Sequence, residues 1–203
     1  MEMFTADLHL GHEGILASRA CFSSVAEMDA ALIDNINRRM GRADTLYILG
    51  DLFVSAAAPA YEVLSSIKPK KVLIRGNHDS GWLRRITEEQ LALSRTEVHR
   101  AFAIKRNHKE LHMAHFPALA WSRSHFFAES LMLSGHIHAR REGTVAAELF
   151  PLVRCQFNAG ADVNGFMPVT LVEMIENNRD FYNRSYTDEE WAALMTTAAA
   201  LTV

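Results

Sequence analysis

Five short apolar runs in this chain end on residues that bind metals or carry protons, not on ordinary turn formers. Met3-Phe4-Thr5-Ala6 leads into Asp7-Leu8-His9, and residues 46–49 lead into Gly50-Asp51. Residues 72–75 lead into Gly76-Asn77-His78-Asp79. Residues 111–114 end at His115, and residues 131–134 at Gly135-His136-Ile137-His138. Short apolar runs bounded by glycine and polar residues read as buried strands. Open α/β sheets build their sites at the carboxyl ends of such strands. The pattern therefore restricts the chain to folds that gather several strand ends along one edge.

The intervening sequence agrees. Met28, Leu32, Ile36 and Met40 form a helical stripe over 25–40, with Ser24 as N-cap and Glu27 as its capping-box partner. A second helix fits 61–67 and stops at Pro69. With strands over 1–6, 45–49 and 71–75, this β-α-β-α-β rhythm predicts parallel strands joined by crossover helices. The second half reads as strands over 98–104, 110–114, 130–134, 144–148, 153–158 and 169–172, with a hairpin turn at 105–109. A tail helix fits 187–200, with Thr187 as N-cap and Glu190 three residues on. The fold class expected is α/β with mixed sheets: one domain over 1–178 and a helical appendage over 179–203.

Residues i and i+2 of an extended segment point the same way, so Asp7 and His9 can share one target, as can His136 and His138. The pooled donors are Asp7, His9, Asp51, Asn77, His115, His136 and His138. They are too many for one tetrahedral ion but suit two ions sharing a carboxylate. Imidazole-rich, cysteine-free ligation favours Mn, Fe, Zn, Ni or Co over Mg or Ca. Gly50, Gly76 and Gly135 each precede a donor, where a sharp turn or a close backbone approach is needed.

Composition narrows the partners. Twenty-one basic against 24 acidic residues give a net charge of −3, which argues against dependence on extended nucleic acid. Two cysteines build no disulfide framework, and neither a signal peptide nor a membrane-spanning run is read. The location expected is cytoplasmic.

Taken in order, Asp7-Leu8-His9, Gly50-Asp51, Gly76-Asn77-His78-Asp79, His115 and Gly135-His136-Ile137-His138 resemble the five motifs of the calcineurin-like metallophosphoesterases. Small bacterial and phage phosphoesterases are similar also at residues 7–12, at Glu27-Met28-Asp29 and at 157–165. That likeness covers about residues 1–175. One departure is Ala20-Cys21 before Phe22, where the subgroup has Arg-Pro.

The resemblance implies a sandwich of two mixed β-sheets with outer helices, in four αββα layers. It assigns Asp7, His9, Asp51 and His138 to one divalent ion, and Asp51, Asn77, His115 and His136 to a second. His78 would face the substrate as a catalytic residue, oriented by Asp79. The reaction implied is hydrolysis of a small phosphomonoester or phosphodiester, nucleotide-like. The alternatives are a nuclease on single-stranded ends, drawing on Arg75, Arg84, Arg85, Arg95 and Arg100, and a non-catalytic interaction module. His12 is a further substrate-binding candidate or a cap of the following helix, and Asn164 a substrate-binding candidate or a residue of the turn after Gly160-Ala161-Asp162. Trp121 is read as core packing, and His99, His108, His112 and His125 as structural or solvated.

Overall fold

The computed structural model describes residues 1–54 and 59–202. In chain order the elements are β1 (Glu2–Thr5), α1 (Val25–Arg39), β2 (Thr45–Ile48), α2 (Ala60–Ser66), β3 (Lys70–Ile74), α3 (Ser80–Leu83), α4 (Glu88–Leu93) and β4 (Thr96–His99). There follow β5 (Ala101–Arg106), β6 (Lys109–Ala114), β7 (Ser130–Ser134), α5 (Val145–Leu149), β8 (Gln156–Asn158), α6 (Leu171–Phe181) and α7 (Asp188–Leu201). Strands β1-β2-β3-β4 form one four-stranded sheet and β5-β6-β7-β8 the other. This is the expected two-sheet α/β fold with flanking helices.

Period-two alternation divides the first sheet between two cores. Met3, Leu46, Ile48 and Leu73 pack with Met28, Leu32 and Ile36 of α1 and Leu64 of α2. Phe4, Tyr47, Val72 and Ile74 turn the other way, to join Leu111, Met113, Leu131, Leu133 and Phe157 of the second sheet. Helices α6 and α7 close this second core with Leu171, Met174, Ile175, Leu194, Ala198 and Leu201. Helix α6 runs through residue 178, and α7 lies along β5 and β6.

Several details depart from the sequence reading. The first sheet is parallel throughout, with a lone antiparallel bridge between Phe4 and Val169. Only the second sheet is mixed, because β5 and β6 are an antiparallel hairpin turning at Asn107 and His108. The strand expected over 98–104 is two strands in different sheets, parted at the exposed Arg100. The strand expected over 144–148 is helix α5, whose N-cap Thr144 accepts from the Ala147 amide. Residues 169–172 hold only the Val169 bridge before α6 begins, with Thr170 and Glu173 closing a full capping box. The tail helix has its box at Thr187 and Glu190. At α1, Ser24 caps Glu27, but the Glu27 carboxylate takes the Ser23 amide instead.

Candidate metal centre

The donor residues follow the carboxyl ends of five strands taken from both sheets. Asp7 and His9 follow β1, Asp51 follows β2, Asn77 and His78 follow β3, His115 follows β6, and His136 and His138 follow β7. Three overlapping groups could each hold a cation: Asp7, His9 and His138; His9, Asp51 and His78; and Asp51, His115 and His136, with donor atoms within 4.8 Å of one another. Asp7, His9, Asp51 and His115 are buried.

The backbone is bent to bring them there. Asp7, His9, Asp51, His136 and His138 all have left-handed φ, between 51° and 72°. Non-glycine residues seldom adopt that region, and such strain gathers where a site requires it. Gly50 has φ +90°, and a Cβ at Gly76 would collide with Oδ1 of Asp51. A Cβ at Gly135 would lie 2.8 Å from Oδ2 of Asp7. The glycines ahead of the donors are there for close approach, as their positions in the sequence suggested.

Hydrogen bonds aim the imidazoles. His115 Nδ1 lies 2.8 Å from the Leu49 carbonyl, which can only accept, so Nδ1 carries a proton and Nε2, with its lone pair in the neutral ring, faces Asp51 Oδ2 at 3.4 Å. His138 Nδ1 lies 2.9 Å from Asp162 Oδ2, which leaves its Nε2 toward the Asp7 and His9 group. Asn77 Oδ1 sits between His115 Nε2 at 3.0 Å and His136 Nδ1 at 3.1 Å. The His136 amide donates to Asp7 Oδ2 at 2.9 Å.

Electrostatics follow from the burial. Burial pushes the Asp7 carboxyl up to about 6, against the pull of His138 and His115. Burial, with His138 alongside, holds His9 down at about 3, a neutral imidazole. At Asp51, burial is outweighed by hydrogen bonds from His115 and the His78 amide, and the carboxyl falls to about 2.

His9 tests whether a metal fits. Both its ring nitrogens are buried with no hydrogen-bond partner, in a residue 2% exposed. A buried polar group left unpaired costs about 1–3 kcal/mol. Carboxylates, an amide oxygen and imidazoles around such an orphan are the donor set of a divalent transition metal.

A protein-family model described as calcineurin-like phosphoesterase matches residues 3–129, the span holding every donor up to His115. The chain belongs to that family. It is accordingly a metal-dependent phosphoester hydrolase. An uncharacterized protein of Methanocaldococcus jannaschii is 28% identical over 186 residues, spanning 86% of this chain and 90% of its own length. The gene 66 protein of Mycobacterium phage L5 is 37% identical over 79 residues, 37% of this chain and 38% of the phage protein. The crystal structure of a protein of unknown function from Aquifex aeolicus superposes with a TM-score of 0.60 at 22% identity. It covers 83% of this chain and 94% of that one, a likeness of fold.

For this phosphoesterase, two expected contacts need correction. Asp79 does not hydrogen-bond the His78 ring. Its carboxylate accepts from the amides of Asp51, Leu52 and Gly76 and from the Trp82 indole, at 2.8–3.0 Å, and so ties two donor-bearing loops together. Asn164 stays out of the site: its buried amide donates to the carbonyls of Asn158 and Gly160, and its oxygen accepts from Asn177. His78 is at the surface of the cluster, 42% exposed and edge-on to His9 at 5.3 Å. His12 and His78 share a cavity of about 630 Å³ with His9, His138, Ile15 and Arg140. Trp121 packs against the second core and donates to Ser130. Among the described residues, no helix is long and apolar enough to cross a membrane.

Sequence reasoning missed Arg19, Asn158 and Asp162. Asn158 is fully buried and donates to the His138 carbonyl at 2.8 Å. The signal was present, since Asn158 and Asp162 fall inside the 157–165 stretch that resembles the small phosphoesterases.

Proposed function

We propose that this chain hydrolyses a small phosphomonoester or phosphodiester with a nucleotide-like leaving group. One observation carries the reading: Asp51 belongs both to a group with His9 and His78 and to a group with His115 and His136, and His9 is shared in turn with Asp7 and His138. A single carboxylate is thus available to two ions, Asp7, His9 and His138 completing one site and Asn77, His115 and His136 the other. Those residues would hold divalent ions such as manganese, which would supply Lewis-acid activation of water and charge neutralisation at the phosphoryl oxygens.

The protein's own part is positioning. Asp51 sets the separation of the two donor groups, and Asn77 contributes a neutral oxygen that limits their negative charge. His78, exposed at the cavity mouth, gives a proton to the departing oxygen, a role worth about 10²–10⁴-fold. The cavity beside it lies within the roughly 300–1,000 Å³ of small-ligand sites, and Ile15 and Ala17 offer an apolar wall for a sugar or base. Free thiols at Cys21 and Cys155 support a reducing, cytoplasmic setting.

A nuclease is the second reading, favoured by a cavity of about 350 Å³ that Arg75 and Arg100 share with Asn77, His115 and Phe116. Arg95, by contrast, is at the far edge, bonded to the Arg42 carbonyl. The complete donor set and His78 weigh against a non-catalytic module. Hydrolysis of p-nitrophenyl phosphate and bis-p-nitrophenyl phosphate, each with several added divalent ions, tests the proposal. Metal-dependent turnover of either supports it. No turnover with any ion overturns it, and a steep fall in activity with salt on single-stranded DNA favours the nuclease.

A further inference from the structure

Arg19 is fully buried, although it is the kind of side chain least often found so. Its guanidinium forks onto Asp162, Nε to Oδ1 at 2.7 Å and Nη2 to Oδ2 at 3.0 Å. The same group donates to the carbonyls of Asp7 at 2.6 Å and Leu8 at 2.9 Å, and Nη1 rests 3.6 Å from the Met28 sulfur. Phe166 lies under the guanidinium at 5.5 Å. Asp162 Oδ2 in turn lies 2.9 Å from Nδ1 of His138.

We propose that Arg19 and Asp162 form an outer relay that fixes the tautomer of His138 and the backbone of Asp7, and so sets the affinity of the ion site they share with His9. Arg19 and Asp162 are positioning residues. The proposal rests on reading His138 and Asp7 as ligands of the phosphoesterase centre.

The chemistry follows from where protons can sit. Both oxygens of Asp162 are engaged by Arg19, so the carboxylate is an acceptor held beside the ring and not a competing ligand. An ionised carboxylate has no proton to give, so the one on His138 stays on Nδ1 and Nε2 keeps its lone pair for the ion. An amide at 162 keeps the shape but reverses the logic: with its oxygen on Arg19 Nε, its NH₂ takes the place of Oδ2, faces Nδ1 and drives the ring proton to Nε2, and Arg19 Nη2 keeps only the Asp7 carbonyl. Lysine at 19 is no substitute, because a point charge cannot reach both carboxylate oxygens and two carbonyls at once. Through this one guanidinium, the β1 loop is coupled to the ligand that follows β7.

The experiment is ¹⁵N-resolved imidazole NMR of the metal-free protein, joined to calorimetric Mn²⁺ titration of wild type, Asp162→Asn and His138→Ala. The wild type should carry the His138 proton on Nδ1, and Asp162→Asn should carry it on Nε2. Mn²⁺ affinity at one of the two sites should drop about 10–100-fold in Asp162→Asn. A role confined to fold stability would lower the melting temperature while leaving tautomer and affinity unmoved, and that outcome overturns the relay. An Nε2 proton in the wild type overturns it without any variant. Mn²⁺ binding unchanged in His138→Ala would instead remove the ligand reading, and the relay's effect on affinity with it.

Discussion

The Asp79 carboxylate accepts the Asp51 backbone N–H at 2.9 Å, so the acid common to two candidate cation groups is held by a second acid that is itself fully buried. Asp79 is fully buried and takes three amides and one indole. Removing it strands those donors at about 1–3 kcal/mol each, with partial relief from water. Asp79→Ala should therefore lose about 3 kcal/mol or more and melt roughly 6–12 °C lower, at 2–4 °C per kcal/mol for a chain of this size. A melting scan of the metal-free variant checks this, and an unchanged midpoint would take Asp79 out of that role.

His78→Ala separates acid from ligand. His78 belongs to one of the three candidate cation groups, yet it is 42% exposed, while Asp51 beside it is buried. The expected result is full metal content by elemental analysis with kcat down about 10²–10⁴-fold. Loss of one equivalent of metal would instead make His78 a ligand.

Lys71 gives a pH dependence away from the centre. Its ammonium is buried and donates to the carbonyls of Leu64 and Ile67 at the end of α2, where helix carbonyls lack partners. Burial pushes its pKa from 10.5 down to about 8, with Arg95 and Arg42 adding repulsion. Between those values the unfolded chain holds a proton that the folded chain has lost, so this group makes stability rise with pH. Urea unfolding of wild type against Lys71→Met should show the difference growing from pH 8 to 10, by on the order of 2 kcal/mol at 1.36 per unit. A flat difference would show that Lys71 titrates as it does in water.

The last helix is part of the core. Leu194 is completely buried, and Arg106 donates to the Leu201 carbonyl at 2.6 Å. Leu194→Ala should cost about 2–5 kcal/mol and Thr187→Ala, which removes an N-cap, about 1 kcal/mol. Guanidinium midpoints of both variants measure this, and a Leu194→Ala midpoint equal to wild type would detach α7 from the core.

The strand ends were legible because each couples an apolar run to donors at fixed spacing, and both signals are local. What stayed hidden depends on tertiary context. Residues 96–104 contain no glycine or proline to mark a break, and only the second sheet's position shows that the chain changes sheets at Arg100. The β-branched Val169 and Thr170 suggest a strand, whereas Thr170 and Glu173 are a helix cap. Asp162 and Arg19 are 143 residues apart, so no window on the sequence reveals their pairing.

Two of the three candidate cation groups take donors from both sheets: Asp7 and His9 with His138, and Asp51 with His115 and His136. An ion there is a further rivet between two layers already joined by side-chain packing, the Arg106–Glu2 ion pair and the Ala6–Gly160 bridge. Loading should therefore slow amide hydrogen exchange in β1–β3 and β6–β7 together, and lower the unfolding rate constant more than it alters the folding one, because strand ends so distant in sequence meet late. Catalytic readiness and kinetic lifetime would then rise and fall with the same ions.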